Sequence, residues 1–219
     1  MMKLLIVSAT EMEISSTRGH LVGLKTLVEG KDWKVIISGV GMVATTYSIL
    51  KELQESRPEL IVQAGIAGSF VEQYLPGSVV IVQNEFFGDV GVLEQNQFKD
   101  VFDLRLTDPT EFPFKERALT NHHINKFDNL QLDAVNAISV NQISSSSLWI
   151  ESIQRKYMVS IESMEGAAFH YVCLREGIPF LQIRSISNKV GERDKSKWKM
   201  KEAIESLNLK IVDLIQTIL

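Results

Sequence analysis

The feature that most constrains this chain is an alternation of short apolar runs with longer helical stretches. Runs long enough for a buried strand recur at 4–9, 35–38, 60–64, 79–82, 138–140, 159–161 and 180–186, and residues 1–7 read as the opening of the first strand. Between several of them lie helix-like stretches, at 43–56, 148–155, 165–176 and 197–219. In the last, Ala203, Ile204, Leu207, Ile211, Leu214, Ile215 and Ile218 recur at helical spacing. Strands without polar alternation are those buried on both faces, which happens when helices cover both sides of a parallel sheet. The pattern predicts an α/β fold with a largely parallel sheet, as a single domain over residues 1–219. The stretch 94–136, with Pro109 and Pro113, is the most polar and least periodic and reads as an excursion around the site.

Composition narrows the function class. A net charge of −4, with 27 acidic and 23 basic residues spread along the chain, offers no basic stripe for a nucleic acid. No apolar run reaches the length of a membrane span, and no charged-then-apolar leader opens the sequence, so a cytoplasmic protein is expected. The single cysteine, Cys173, precludes an intrachain disulfide and reads as a buried packing residue in an apolar helix. The histidines His20, His122, His123 and His170 lack metal-ligand spacing, and the pair at 122–123 falls in a polar loop.

In open α/β sheets ligands bind beyond the carboxyl ends of strands. Those ends carry Ala9-Thr10-Glu11-Met12-Glu13, Gly39-Val40-Gly41, Ala64-Gly65-Ile66-Ala67-Gly68-Ser69, Glu162-Ser163-Met164-Glu165-Gly166 and Ser185-Ile186-Ser187-Asn188. Glycines allow close backbone approach to a ligand, while the carboxylates and the amide supply polar chemistry. Taken singly, Glu13 and Glu165 also read as first-turn or capping acids, Asn188 as a turn residue and Trp198 as a core aromatic. Gly39-Val40-Gly41 with Ala44 mimics a dinucleotide fingerprint, but the following strand ends in Gln63-Ala64-Gly65 without the acidic residue that motif requires.

At these five places, in consistent order, the sequence resembles the purine nucleoside phosphorylase and nucleosidase superfamily. The segments 8–13, 84–89 and 183–194 are most similar to its futalosine-hydrolysing branch. The resemblance implies a twisted central sheet, mostly parallel or mixed, sandwiched by helices, assembled as a homodimer or larger homo-oligomer, without metal or organic cofactor. It implies that Glu13 activates water, that Glu165 binds the ribose hydroxyls and that Met164 packs on the sugar. Asn188 falls where adenine-specific members carry an aspartate that protonates the base, and Trp198 where they place an aromatic. Ala9, Val40, Ile66, Ala67, Gly68, Ser163 and Ser187 complete the expected substrate site, for a small-molecule purine nucleoside. Ser163 stands in place of a second carboxylate found in many members.

Cleaving an N-glycosidic bond needs water activated on one side of a ribosyl cation and the leaving base stabilised on the other. Two carboxylates and an amide suit that task. The rival readings are a methylthioadenosine-type nucleosidase, a purine nucleoside phosphorylase, and a non-catalytic nucleotide-binding module built on residues 39–41. A phosphorylase recruits arginines to hold phosphate, and the glycine-flanked loops carry none. Arg193, Lys197 and Arg105 are candidates by charge for the carboxylate end of futalosine, with surface solvation as the alternative for each.

Overall fold

A computed structural model describes residues 3–25, 33–95 and 97–218. Met1, Met2 and Leu219, assigned above to the first strand and last helix, lie outside them. The first half of the chain runs β1 (Leu4–Ser8), α1 (Glu11–Lys25), β2 (Trp33–Ile37), α2 (Met42–Glu55), β3 (Leu60–Ser69), β4 (Val79–Phe87) and a short hairpin, β5 (Gly91–Glu94) with β6 (Gln97–Asp100). The second half runs β7 (Leu119–Thr120), a 3-10 turn (Ile124–Leu130), β8 (Asp133–Ser139), α3 (Ser147–Tyr157), β9 (Ile161–Ser163), α4 (Gly166–Glu176), β10 (Phe180–Lys189) and α5 (Met200–Ile218).

The main sheet is mixed. Its order is β10-β4-β8-β9-β3-β1-β2, and β10 also pairs with β3, so β10, β4, β8, β9 and β3 close into a ring from which β1 and β2 extend. Pairing is parallel for β1–β2, β1–β3, β3–β10, β4–β8 and β8–β9, and antiparallel for β4–β10 and β3–β9. Alternate side chains of β1 serve opposite faces, as the strand period requires. Leu4 and Ile6 pack with α1 and α5 through Ile14, Leu21, Leu207, Ile211 and Leu214. Leu5 and Val7 pack with α2 and α4 through Ile49, Phe169, Val172 and Cys173. A third cluster draws Ala67, Val80, Val82, Val135, Ala137, Ile161 and Ile186 from all five ring strands and from no helix.

Several boundaries differ from those read in the sequence. Val159 is apolar because it packs beneath α3, but the ladder itself runs through Ile161–Ser163. The strand expected at 138–140 begins earlier, at Asp133, because its half-polar first residues pair with Val80–Val82. β3 and β10 run on to Ser69 and Lys189, so Gly65–Gly68 and Asn188 lie within strands and not beyond their ends. α5 starts at Met200, which leaves Trp198 in the preceding turn. α1 is not announced by its apolar pattern. Its mean hydropathy is low, and among the residues whose burial is described Glu13, Ile14, Thr17 and Leu21 are buried.

One buried contact ties α1 to α5. Asn208 Oδ1 accepts from the N–H and the hydroxyl of Thr17 (2.9 and 2.7 Å), while its Nδ2 donates to the carbonyl of Glu13 at 2.8 Å. Thr17 N–H and Glu13 C=O are the i and i−4 groups of one helical turn, and the amide of a neighbouring helix bonds both. Asn208→Leu keeps the wedge but offers no polar partner, so it should destabilise the protein by about 1–3 kcal/mol in urea unfolding. A loss below about 0.5 kcal/mol would show that these bonds contribute nothing net.

Candidate active site

A cleft of about 220 Å³ opens at the carboxyl ends of β1, β3 and β10, somewhat smaller than the roughly 300–1,000 Å³ usual for small-molecule sites. The catalytic and substrate-site residues expected from the resemblance line it: Ala9, Glu13, Val40, Ile66, Ala67, Gly68, Ser163, Met164, Glu165, Ser187, Asn188 and Trp198, whereas Arg105, Arg193 and Lys197 do not. Thr10, Met12, Ile143, Glu162, Val190, Gly191, Glu192 and Met200 join them without having been singled out. No described residue between 94 and 136 lines the cleft, which corrects the expectation of an excursion around it. That segment instead walls a separate aromatic hollow with Phe102, Phe112, Phe114 and Tyr171.

Glu13 sits in the first turn of α1 and is buried. Its Oε2 accepts from the N–H and the hydroxyl of Thr10, both at 2.9 Å, and from Ser8 Oγ at 3.4 Å. Among the described residues its Oε1 accepts only from Ile66 N–H, at 3.1 Å, and so keeps a lone pair for a further donor. Glu165 occupies the N-cap position of α4 yet does not cap that helix. Its Oε1 reaches Gly41 N–H at the start of α2, at 3.0 Å. Gly41 holds φ at +94°, a conformation that favours glycine, and this turns its N–H toward the acid.

Arg184 lies behind the lining, 1% exposed, and was missed by the sequence reading. Its Nη1 is 3.4 Å from Glu165 Oε2 and from the carbonyl of Ile66, and its Nη2 donates to Gln63 Oε1 at 2.8 Å. Position 65 must be glycine, because a Cβ there would overlap the guanidinium. The available signal was a long polar side chain at alternate positions of a buried run: in 180–186, Gln182 and Arg184 stand among Phe180, Leu181, Ile183 and Ile186.

At the far end, the pairing of β3 with β10 slips between Ile186 and Asn188, so Ser187 is an extra residue. Strict alternation would send one of the two side chains away from the cleft; the bulge lets both face it. Ser187 Oγ donates to Asn188 Oδ1 at 2.7 Å, and Asn188 Nδ2 donates to the carbonyl of Lys189 at 2.9 Å. The amide orientation is thereby set, with one lone pair and one N–H left over. Trp198 Nε1 donates to the carbonyl of Glu192, and Arg193 stacks on the indole at 5.8 Å. Lys197 is paired with Glu192 at 2.8 Å, and Arg105 is exposed in the segment that does not reach the cleft.

Ser163 Oγ lies 3.4 Å from Gly166 N–H and from Ser139 Oγ. Glu162, the preceding residue of β9, instead accepts from the N–H and the hydroxyl of Ser144. Burial raises the carboxyl of Glu162, and hydrogen bonds from Ser144 offset part of that rise. Among the described residues, no three His, Cys, Asp or Glu side chains are grouped as metal ligands would be. His170 and Cys173 are buried in α4, where burial holds the imidazole neutral (pKa down to about 3) and pushes the thiol up.

The sequence matches the family described as the phosphorylase superfamily over residues 4–218. The chain belongs to the phosphorylase superfamily. It is 26% identical over 216 residues to a futalosine hydrolase of Thermus thermophilus, covering 93% of this chain and 91% of that protein. It is 28% identical over 207 residues to a 5'-methylthioadenosine/S-adenosylhomocysteine nucleosidase of Shewanella oneidensis, covering 85% and 84%. The solved structure of futalosine hydrolase from Helicobacter pylori superposes with a TM-score of 0.80 at 18% identity, over 99% of this chain and 98% of that one. Superfamily membership accounts for the mixed α/β sheet.

Beneath the cleft, Glu85 is wholly buried and accepts from Gln182 Nε2 and Ser139 Oγ, both at 3.0 Å. Ser139 Oγ in turn receives Ala167 N–H from the first turn of α4, at 2.8 Å. Burial pushes the Glu85 carboxyl from 4.5 up to about 7. Across that window the folded protein keeps a proton that the unfolded chain has released, so stability falls as pH rises through it. Glu85→Gln should remove this part of the fall, with Gln182 turning its unpartnered Oε1 to the new amide. Relative to the parent, the variant should gain stability between about pH 5 and about pH 8 in urea unfolding. The same difference at both pH values would mean that Glu85 ionises normally.

Proposed function

We propose that this chain hydrolyses the N-glycosidic bond of futalosine, releasing hypoxanthine and dehypoxanthine futalosine, as a step of menaquinone biosynthesis. The observation that carries the reading is the pair of buried carboxylates in one cleft with an amide that retains one acceptor and one donor position. Water attacks the anomeric carbon as the bond to N9 breaks, and the bond electrons leave with the purine. Glu13 accepts the water proton through Oε1, the oxygen with a single backbone donor. Glu165, oriented by Gly41 N–H and Arg184, holds the ribose hydroxyls and stabilises the cationic sugar by its charge. Met164 packs on the sugar, and Val40, Ile66, Ala67 and Trp198 wall the site.

Relatives named for futalosine and for methylthioadenosine are similarly distant, so the choice of base rests on Asn188. As the bond breaks the purine takes a proton from solvent at N7, which makes that atom a donor, and Glu13 returns the proton it took from water to solvent. In hypoxanthine the neighbouring O6 is an acceptor, and an amide satisfies both. In adenine the neighbouring amino group is a second donor, which requires an acceptor-only carboxylate. A phosphorylase reading is disfavoured because the one buried arginine, Arg184, is already engaged by Glu165, Gln63 and Ile66 and does not line the cleft. A cytoplasmic location and a homo-oligomer belong to the same reading. For the latter, Val43 and Tyr47 on α2 present exposed apolar surface for a second copy.

The direct test is incubation with futalosine, in which hypoxanthine should appear at a rate independent of phosphate. Release of a ribose 1-phosphate product that grows with phosphate would make the chain a phosphorylase. Glu13→Gln should fold and bind substrate while losing about 10²-fold or more in turnover. Turnover within about threefold of the parent would remove Glu13 from the mechanism. The parent should prefer 6-oxopurine to 6-aminopurine nucleosides by roughly 5- to 150-fold, the value of one mismatched buried polar pair of about 1–3 kcal/mol. Asn188→Asp should move the ratio of kcat/KM toward the 6-amino substrate, and equal ratios in the two proteins would show that Asn188 does not read the base.

A further inference from the structure

Glu162 has no part in the chemistry described above, yet its carboxylate lines the same cleft and is 5% exposed. Its place follows from strand register. Asn188 on β10 is paired with Gly68 on β3, and Gly68 is paired with Glu162 on β9. Residues in register on adjacent strands project on the same face of a sheet. The row Asn188–Gly68–Glu162 therefore sets an amide and a carboxylate on either side of a residue with no side chain. Two strand spacings separate their backbones by about 10 Å. Gly68 lets Asn188 and Val190 close over the strand at this row, since a Cβ there would lie 3.0 Å from Val190 Cγ2 and 3.4 Å from Asn188 Nδ2.

We propose that Glu162 is a second specificity-determining residue, accepting the N1–H of a 6-oxopurine from the side of the cleft opposite Asn188. The proposal rests on the reading that a 6-oxopurine nucleoside is cleaved. On such a base N7, O6 and N1 follow one another along a single edge. An amide that takes N7–H and O6 leaves N1–H pointing to the opposite wall. A 6-oxopurine carries a proton on N1, which a carboxylate accepts; the N1 of adenine is a bare acceptor, which a carboxylate repels. Asn188 and Glu162 would then read one edge from both ends.

The carboxylate is also held in place. Glu162 Oε1 accepts from Ser144 N–H at 3.0 Å, and Oε2 accepts from the Ser144 hydroxyl. Each oxygen retains a second lone pair, so the same contacts that orient the group leave it able to accept from a ligand. They also give Glu162 an alternative role, latching the loop that carries Ile143 and Ser144. The experiment separates the two roles.

The ratio of kcat/KM for futalosine over its 6-amino analogue is measured in the parent, Glu162→Gln and Ser144→Ala. Gln keeps the shape of the side chain and a partner for each Ser144 group, but turns one acceptor into a donor. Glu162→Gln should lower the ratio by about tenfold or more, the loss of one buried matched pair. Ser144→Ala, which loosens the latch alone, should change both substrates together. A ratio within about twofold of the parent in Glu162→Gln, or an equal fall of the ratio in both variants, would overturn the proposal. A parent that prefers the 6-amino substrate would instead overturn the 6-oxopurine reading itself. A binding test on the parent alone needs no variant to fold. Hypoxanthine should bind at least about tenfold more tightly than 1-methylhypoxanthine by calorimetry, and equal affinities would show that nothing reads N1.

Discussion

The site depends first on the parallel pairing of β3 with β10. Those strands run side by side from Ile61 and Phe180 to Ser69 and Lys189, and several rungs contribute a contact to the site. Gln63 receives Arg184 Nη2 across the pair, Gly65 leaves room for the guanidinium, and Ile66 offers its N–H to Glu13 and its carbonyl toward Arg184. One register slip before Asn188 then brings two consecutive side chains into the cleft. A displacement of the pairing by one residue would undo all of these at once, because alternate residues of a strand point to opposite faces.

The two carboxylates proposed for catalysis are buried at little cost because backbone donors meet them. Glu13 takes N–H groups from Thr10 and Ile66, and Glu165 takes that of Gly41, so helix starts and strand ends supply the solvation that water would. Backbone donors cannot rotate away, and the hydroxyls of Thr10 and Ser8 and the guanidinium of Arg184 add to them. Glu85 shows the contrast. It is met only by the side chains of Gln182 and Ser139, and burial raises its carboxyl to about 7. Its role is to anchor Ser139 and hence the first turn of α4, from whose N-cap Glu165 projects. Asn208 does the corresponding work on the Glu13 side, by bonding the carbonyl of Glu13 from α5.

What could be read without coordinates was what local pattern carries. Apolar runs without alternation imply strands covered on both faces, and helical spacing from Ala203 onward implies a helix lying on them. Glycines and acids just after those runs mark where a ligand binds in such a sheet. The resemblance assigned roles to Glu13, Glu165 and Asn188 from short motifs. Tertiary structure decided the rest, because it depends on which strands become neighbours. Closure of β3 onto β10 is a pairing between residues more than a hundred positions apart, and no local preference encodes it. Arg184 gains its meaning only when Gln63 and Glu165 are beside it, and Glu162 only when Gly68 is seen to stand between it and Asn188. The segment 94–136 shows the same limit from the other side: its polarity was legible, but its distance from the cleft was set by where β4 and β8 carry it. Sequence determined the elements and the chemical types present at their ends; long-range strand register determined which of those groups face one another.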